Sequence, residues 1–369
     1  MRDPAFDALL PALQQTSLGP VLWIADENAL GILRSVPPAP NMTLISNRFD
    51  VAKVAAELGF TALFNDFDFS ALADNSMQRV IYRVSKEKPS VHHIINQALR
   101  MLAPGGELII AGLKNEGTKT YIDKAKNIFG QGSSQKNGLA YRGNFYKSAN
   151  APCAELLDDQ DYPRLRFFNS ELLDFYSKPG LFGWDKIDQG SAFLIDEFNE
   201  QLAERSIEQS TEQLSTPSSQ LPPSFPTVPK SLLDLGCGYG YLTLMTRHLP
   251  CSRRVATDNN AAAIIAAEKN FTHYAMQVEV VADDCGSTLQ EHFDLILCNP
   301  PFHQGFNIDG QLTDKFLRQA QRLLAPQGNA LFVVNQFINL EREAEKYFRW
   351  IEYFASNKSF KLIHLAQPR

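Results

Sequence analysis

Short apolar runs recur along the chain, and most are followed by residues with helical spacing. Phe6, Leu9, Leu10 and Leu13 fall on one face of an amphipathic helix within residues 1–20, closed by Gly19-Pro20. Apolar runs at 21–24, 42–46, 62–64, 79–83 and 107–111 read as strands. Helices are predicted between them, from about Ala29, over 51–58 and up to Leu102. The same order returns from Ser231. Strands are predicted at 232–235, 254–257, 278–281, 295–298 and 330–334, with a helix after the first and further helices over 260–270 and 314–324. Strands alternating with helices predict βαβ units around parallel sheets.

The two halves share more than order. Met101-Leu102-Ala103-Pro104-Gly105-Gly106-Glu107-Leu108 parallels Leu323-Leu324-Ala325-Pro326-Gln327-Gly328-Asn329-Ala330, each a helix end, a Pro-x-Gly turn and an apolar strand. The fold class expected is α/β, with two tandem Rossmann-like domains from an internal duplication. The domains are placed at 1–150 and 151–369. Residues 205–229, rich in Ser, Thr, Gln, Glu and Pro, cannot build a core and read as a flexible insertion.

Composition narrows the class. At 369 residues, with 44% hydrophobic residues and 25 phenylalanines, two domains of ordinary size can each fill a core. The start has no basic-then-apolar leader, and no apolar run approaches the ~18 residues of a membrane span. The five cysteines are scattered without a Cys-x-x-Cys pair, so neither a disulfide framework nor a metal site is expected. These features read as a reduced, cytoplasmic monomer. The net charge of −6 argues against a uniformly basic nucleic-acid-binding surface but allows a local patch.

The chemistry concentrates in the second half. Asp234-Leu235-Gly236-Cys237-Gly238-Tyr239-Gly240 follows a strand and opens a helix, where glycines let the backbone turn tightly against a ligand. Asp258 ends the next strand, 22 residues after Gly236, where a carboxylate can accept from ribose hydroxyls. Asp283-Asp284 ends the third, with Asp284 favoured to accept from an adenine amine. The fourth ends in Asn299-Pro300-Pro301-Phe302. Two prolines force a stiff, extended exit from the sheet. Asn299 Oδ1 and the Pro300 carbonyl can accept both hydrogens of a planar amine, while Phe302 stacks on its ring.

A nicotinamide dinucleotide is the rival ligand for such a glycine loop. Asp234 and the Asn-Pro-Pro-Phe turn match the class I S-adenosylmethionine-dependent methyltransferase pattern better. Cys298 reads as a small packing residue and not a nucleophile, and His303 has no visible partner. The first half has neither motif. Its loop is Ile24-Ala25-Asp26-Glu27-Asn28-Ala29, and its fourth strand is followed by Val84-Ser85-Lys86-Glu87-Lys88-Pro89. This copy is a degenerate frame for support or RNA contact, with Lys86, Lys88, Lys114 and Lys119 as candidate RNA-binding residues.

Taken together, Asp-Leu-Gly-Cys-Gly, Cys298-Asn299-Pro300-Pro301-Phe302-His303-Gln304 and the degenerate first copy resemble the bacterial ribosomal RNA guanine-N2 methyltransferases over nearly the whole chain. The resemblance extends to Lys178-Pro179-Gly180-Leu181-Phe182 and Ile187-Asp188-Gln189-Gly190-Ser191, similar to a family segment implicated in closing over cofactor and substrate. Gly183-Trp184 stands where that family has Ser-Arg, and Lys186 where it has Gly. Ile109-Ile110-Ala111-Gly112 with Lys114, and Asn357-Lys358-Ser359-Phe360, lean towards the branch acting on the large subunit (23S). The resemblance implies S-adenosylmethionine as cofactor, ribosomal RNA or a ribosomal subunit as partner, and no metal. Asp234, Gly236, Gly238, Gly240, Asp258 and Asp284 would hold cofactor. Asn299, Pro300, Pro301 and Phe302 would be catalytic. Two other readings stay open. One is methylation of a protein glutamine amide, which an Asn-Pro-Pro turn would serve equally well. The other is a non-catalytic RNA-binding assembly factor.

Overall fold

The computed structural model describes residues 3–148, 155–170, 173–211, 229–301, 303–304, 307–308 and 310–369. The chain divides into two compact units. The first comprises Met1–Leu165 with Lys178–Gly180 and Asn260–Ala262, and the second Arg166–Ser177, Leu181–Asn259 and Ala263–Arg369. The main segment of the first unit thus ends at residue 165.

In the first unit α1 (Pro4–Gln14) is capped by Asp3, whose side chain accepts from Ala5 N–H. The strands are β1 (Val21–Ala25), β2 (Met42–Ser46), β3 (Thr61–Phe64), β4 (Met77–Arg83), β5 (Leu102–Leu113), β6 (Gly132–Asn137) and β7 (Ala140–Tyr146), in the sheet order β3-β2-β1-β4-β5-β7-β6. The helices are α2 (Phe49–Glu57), α3 (Lys88–Met101) and α4 (Thr118–Phe129). Every residue of β1 is buried, as expected of a central parallel strand covered on both faces. The helix expected from Ala29 is instead two 3-10 turns, Glu27–Gly31 and Leu33–Ser35. Pro37-Pro38 follows at once and leaves no room for a regular helix.

The second unit begins with the hairpin β8 (Arg166–Asn169) and β9 (Asp174–Ser177), then α5 (Gln189–Thr211). Residues 205–211 of the expected insertion are therefore helical, and 212–228 lie outside the described residues. Next come β10 (Ser231–Leu235), α6 (Tyr241–Met245), β11 (Arg253–Asp258), α7 (Ala261–His273), β12 (Glu279–Ala282) and β13 (Phe293–Cys298). They are followed by the short strands β14 (His303–Gln304) and β15 (Asn307–Ile308), α8 (Gly310–Leu323), β16 (Leu324–Asn335), α9 (Leu340–Ala344), β17 (Phe348–Ser356) and β18 (Phe360–Pro368). The main sheet runs β12-β11-β10-β13-β16-β18-β17, the order of the first sheet. Both are Rossmann-like sheets with an antiparallel pair at one edge.

The two sheets also share a defect. Register slips between Met77 and Arg79 against β5, and between Phe293 and Leu295 against β16. A Cβ on Gly106 would meet Ala103 O at 2.9 Å and Met77 O at 3.1 Å; one on Gly328 would meet Ala325 O at 3.1 Å and Phe293 O at 2.8 Å. The same backbone approach requires glycine in both copies.

The shared slip gives a common origin for comparing rungs. Arg79 pairs with Val21, and Leu295 with Leu232. Counting four residues onward from Arg79 and Leu295 matches Arg83 with Asn299. Counting two onward from Val21 and Leu232 matches Trp23 with Asp234. Through the pairs Val21–Met42 and Leu232–Arg254, Ser46 matches Asp258. Through Ser46–Phe64 and Asp258–Ala282, Asp66 matches Asp284. Of the chemical residues, only the acid at the last position is common to both copies.

Candidate active site

The strand order reverses between β10 and β13, which pair in parallel with Asp234 opposite Leu297. In open α/β sheets the crevice at such a point, beyond the carboxyl ends of the strands, is where ligands bind. The loop after β10 and the turn after β13 both leave the sheet there.

Gly236, Gly238 and Gly240 all have positive φ, at 83°, 55° and 89°. Gly236 and Cys237 donate N–H bonds to Thr257 O at 2.9 Å each, and Gly238 N–H donates to Asp258 Oδ2 at 2.9 Å. Asp258 thus braces the loop that it stands beside. Gly240 faces the Phe271 ring, which a Cβ would meet at 2.6 Å, while a Cβ on Gly238 would project into open space.

Asp234 lies fully buried beneath this loop. Its Oδ2 accepts from Thr243 N–H at 3.1 Å and Thr243 Oγ1 at 2.8 Å, tying the strand to the start of α6. Its Oδ1 is buried without a hydrogen-bond partner. Burial raises its pKa to about 7, with the Asp258 charge adding to the rise against the lowering Thr243 bonds. Asp234 therefore supports the loop from below.

The two acids after β12 divide their work. Asp283 is fully buried; its Oδ1 accepts from Ser287 Oγ at 2.7 Å, and its Oδ2 from Thr288 N–H at 2.8 Å and Thr288 Oγ1 at 2.7 Å. It closes the turn that follows. Asp284 is partly exposed and pairs with Lys315 of α8, a partner that nothing in the local sequence announced.

Asn299 is held on its amide side. Its Nδ2 donates to Asp188 Oδ2 at 2.7 Å and to Ser191 Oγ at 2.8 Å. Asp188 sits immediately before α5, and the same Oδ2 accepts Ser191 N–H at 2.8 Å while its backbone carbonyl accepts Ala192 N–H at 3.0 Å. An Asp directly ahead of a helix is a start signal in the sequence. Its tie to a residue 111 positions away is not. Pro300 is buried and Pro301 exposed; Phe302 lies outside the described residues.

The Cys298 thiol is fully buried, directs Sγ to Leu235 O at 3.1 Å, and is pushed far above its usual pKa by burial. A thiol held protonated in this way is a poor nucleophile. Trp184, at the departure from the resembled segment, packs under the Arg166 guanidinium, 4.6 Å from its ring centroid. Among the described residues, no group of His, Cys, Asp and Glu is arranged to hold a metal, and no helix is long and apolar enough to cross a membrane.

The fit to a nucleoside-bearing methyl donor rests on three features: the open space above Gly238, the unpartnered Asp234 Oδ1 beneath the loop, and acids at the ends of successive strands. Asp258 and Asp284 follow one another at the ends of β11 and β12, on the side of the sheet where the glycine loop leaves it. In the first unit Lys86, Lys88, Lys114 and Lys119 are all exposed and follow the carboxyl ends of β4 and β5 or open α3 and α4. The positions that correspond there to the loop after β10 and the turn after β13 are taken by a buried ion network. Arg83 Nε donates to Asp3 Oδ2 at 2.8 Å, its Nη2 to Glu116 Oε1 at 2.8 Å and its Nη1 to Val84 O at 2.6 Å, with Asp26 at 3.7 Å. Burial alone would lower the Arg83 pKa, but Asp26, Asp3 and Glu116 together hold it above its ordinary value. Asp66 is likewise filled from within. It pairs with the buried Lys178 and accepts from Tyr162 Oη at 2.7 Å, and the ammonium stands 4.1 Å over the Tyr162 ring.

Residues 209–364 match the family described as methyltransferase small domain. The ribosomal RNA small subunit methyltransferase C of Actinobacillus succinogenes is 25% identical over 300 residues, covering 80% of each chain. That of Haemophilus influenzae (strain PittEE) is 24% identical over 328 residues, 88% of this chain and 87% of its own. Among solved structures, a Thermus thermophilus 16S rRNA N2 G1207 methyltransferase, in complex with AdoMet and guanosine, superposes with a TM-score of 0.77. It shares 22% identity and covers 99% of this chain and 92% of its own. That likeness extends the shared fold over both domains.

Proposed function

We propose that this protein transfers a methyl group from S-adenosylmethionine to the exocyclic N2 of a guanine in ribosomal RNA. The observation that carries this reading is the Asn299-Pro300-Pro301 turn, which leaves β13 at the switch point beside the glycine loop of β10. When bound, the cofactor supplies an electrophilic methyl group on a sulfonium. The chain supplies position and electrostatics. Asp258 accepts from ribose hydroxyls and Asp284 from the adenine amine. Asn299 Oδ1 and the Pro300 carbonyl accept the two N2 hydrogens, drawing the lone pair out of conjugation with the ring, and Phe302 stacks on the base. The exposed lysines of the first domain contact RNA phosphates.

The small subunit is the favoured substrate. The Actinobacillus and Haemophilus relatives carry small-subunit names, and this outweighs the sequence's lean towards the large-subunit branch. The enzyme works in the cytoplasm, where ribosomes are assembled.

The test is incubation of the protein and labelled methyl donor with separated 30S and 50S subunits and with their naked RNAs, followed by nucleoside mass spectrometry. The expected product is N2-methylguanosine in 16S RNA, formed by the wild type and only at a small residual rate by Asn299→Ala. Equal product from both would sink the assignment of Asn299. Label confined to 23S RNA would restore the large-subunit reading.

A further inference from the structure

We infer that Asp188 is a positioning residue for methyl transfer. With Ser191 it locks the Asn299 amide so that only its carbonyl oxygen is offered to the substrate amine, and its charge makes that oxygen a stronger acceptor. This rests on the proposed methyl transfer and extends it to a residue outside the Asn-Pro-Pro-Phe turn.

An asparagine amide is nearly symmetric in shape but opposite in chemistry at its two ends. If Asn299 turned by 180° about its last torsion, it would point two N–H donors at an amine that is itself a donor, and the site would be dead. Asp188 prevents this. A carboxylate only accepts, so the end of Asn299 that lies 2.7 Å from Asp188 Oδ2 is the NH2. The second hydrogen goes to Ser191 Oγ at 2.8 Å. Both amide donors are thereby spent, and Oδ1 is the atom left for the substrate.

The clamp is itself rigid. Asp188 Oδ2 also accepts from Ser191 N–H, and the carboxylate sits at the N-terminus of α5, where the helix dipole favours negative charge. A Cβ on the intervening Gly190 would meet Asp188 Oδ2 at 3.1 Å and the Phe360 ring at 3.2 Å, so the turn is packed on its far side. The clamp thus stands on a helix start and not on a free loop.

The charge acts beyond orientation. A carboxylate bonded to the NH2 end of an amide draws its hydrogens and shifts electron density towards the oxygen at the other end. A stronger Oδ1 acceptor pulls harder on the N2 hydrogens, and the N2 lone pair gains nucleophilicity. In the transfer, that lone pair forms the new N–C bond as the methyl–sulfur bond breaks, with its electron pair staying on sulfur. N2 then sheds a proton to water.

The experiment is a double-mutant cycle of Asp188→Ala and Asn299→Ala, with Asp188→Asn as the conservative variant. Methyl transfer to RNA is read as kcat and KM, donor binding by calorimetry, and folding by thermal melting. Asp188→Ala should lose about 100-fold in kcat through misplacement of Asn299. Asp188→Asn keeps an acceptor oxygen without the charge and should lose about tenfold. Donor affinity and KM for RNA should stay within about twofold of the wild type. In the Asn299→Ala background, Asp188→Ala should cost nothing further.

Additive losses in the cycle, or a loss confined to donor affinity, would overturn the inference. A readout that needs no catalysis separates it from the reaction itself. In protein labelled with 15N at asparagine side chains, the NH2 signal that vanishes in Asn299→Ala should move in Asp188→Ala. If the wild type transfers no methyl to RNA, the reaction reading fails while a moving signal still supports the clamp. A signal that stays put refutes the clamp.

Discussion

Arg83 stands on the rung of the first sheet that Asn299 holds in the second. The same exit from the fourth strand carries in one domain an amide held by Asp188 and Ser191, and in the other a guanidinium buried among Asp3, Asp26 and Glu116. Removing one side of such a network leaves buried charges uncompensated, which costs about 3–5 kcal/mol. Arg83→Met should therefore lower the urea midpoint of the first domain strongly while leaving donor affinity of the second unchanged. A variant as stable as the wild type would mean that the network contributes nothing net.

The glycines of the loop should differ in tolerance. Gly238→Ala meets no atom and bears only the left-handed backbone, at about 1–2 kcal/mol. Gly240→Ala has the same backbone problem and also drives a methyl group into the Phe271 ring, adding about 1–3 kcal/mol. Chemical denaturation should rank Gly240→Ala as the worse. The reverse ranking would place the strain elsewhere.

Asp234 should make stability fall with rising pH. Folded, it holds its proton up to about pH 7; unfolded, it releases it near its ordinary value of 3.8. Between those limits the native state binds the extra proton, so the stabilisation present below about pH 4 declines as pH rises towards 7. Asp234→Asn cannot ionise and escapes the decline. Its melting temperature should gain on the wild type by several degrees between pH 4 and pH 8. A gap that stays constant over that range would rule out Asp234 as the source.

The lysines of the first domain should set salt dependence and leave chemistry alone. Replacing Lys86, Lys88, Lys114 and Lys119 by glutamine should weaken RNA binding and flatten its dependence on salt, by about 0.7–0.9 in log–log slope for each phosphate no longer neutralised. Calorimetric donor affinity should not move. An unchanged salt slope would remove the first domain from RNA binding.

Much of the fold was legible because central parallel strands are buried on both faces and so read as unbroken apolar runs, as β1 does. The edge hairpins were not. β6 is partly buried only at Gly132 and carries Ser133-Ser134-Gln135-Lys136-Asn137 to solvent, so no alternation marks it. At the site, Gly236, Gly238, Gly240, Asp258 and Asn299 were visible from local spacing. The Asp188 clamp and the Lys315 partner of Asp284 were not, because each joins residues far apart in sequence that only the folded sheet brings together. The complete burial of Asp234 and its bonds to Thr243 at the start of the helix above it are not encoded in the motif.

Asp66 and Lys178 are 112 positions apart and both almost wholly shielded from water. Neither can be replaced alone without stranding the other's charge in a place that cannot solvate it. Any lineage that drops the acid must drop the lysine in the same step or tolerate a weakened intermediate. The pair acts as a ratchet: easy to keep, hard to leave. An acid on the rung of Asp284 thus stands in a domain that lacks the glycine loop and the Asn-Pro-Pro turn, bound there to an internal cation.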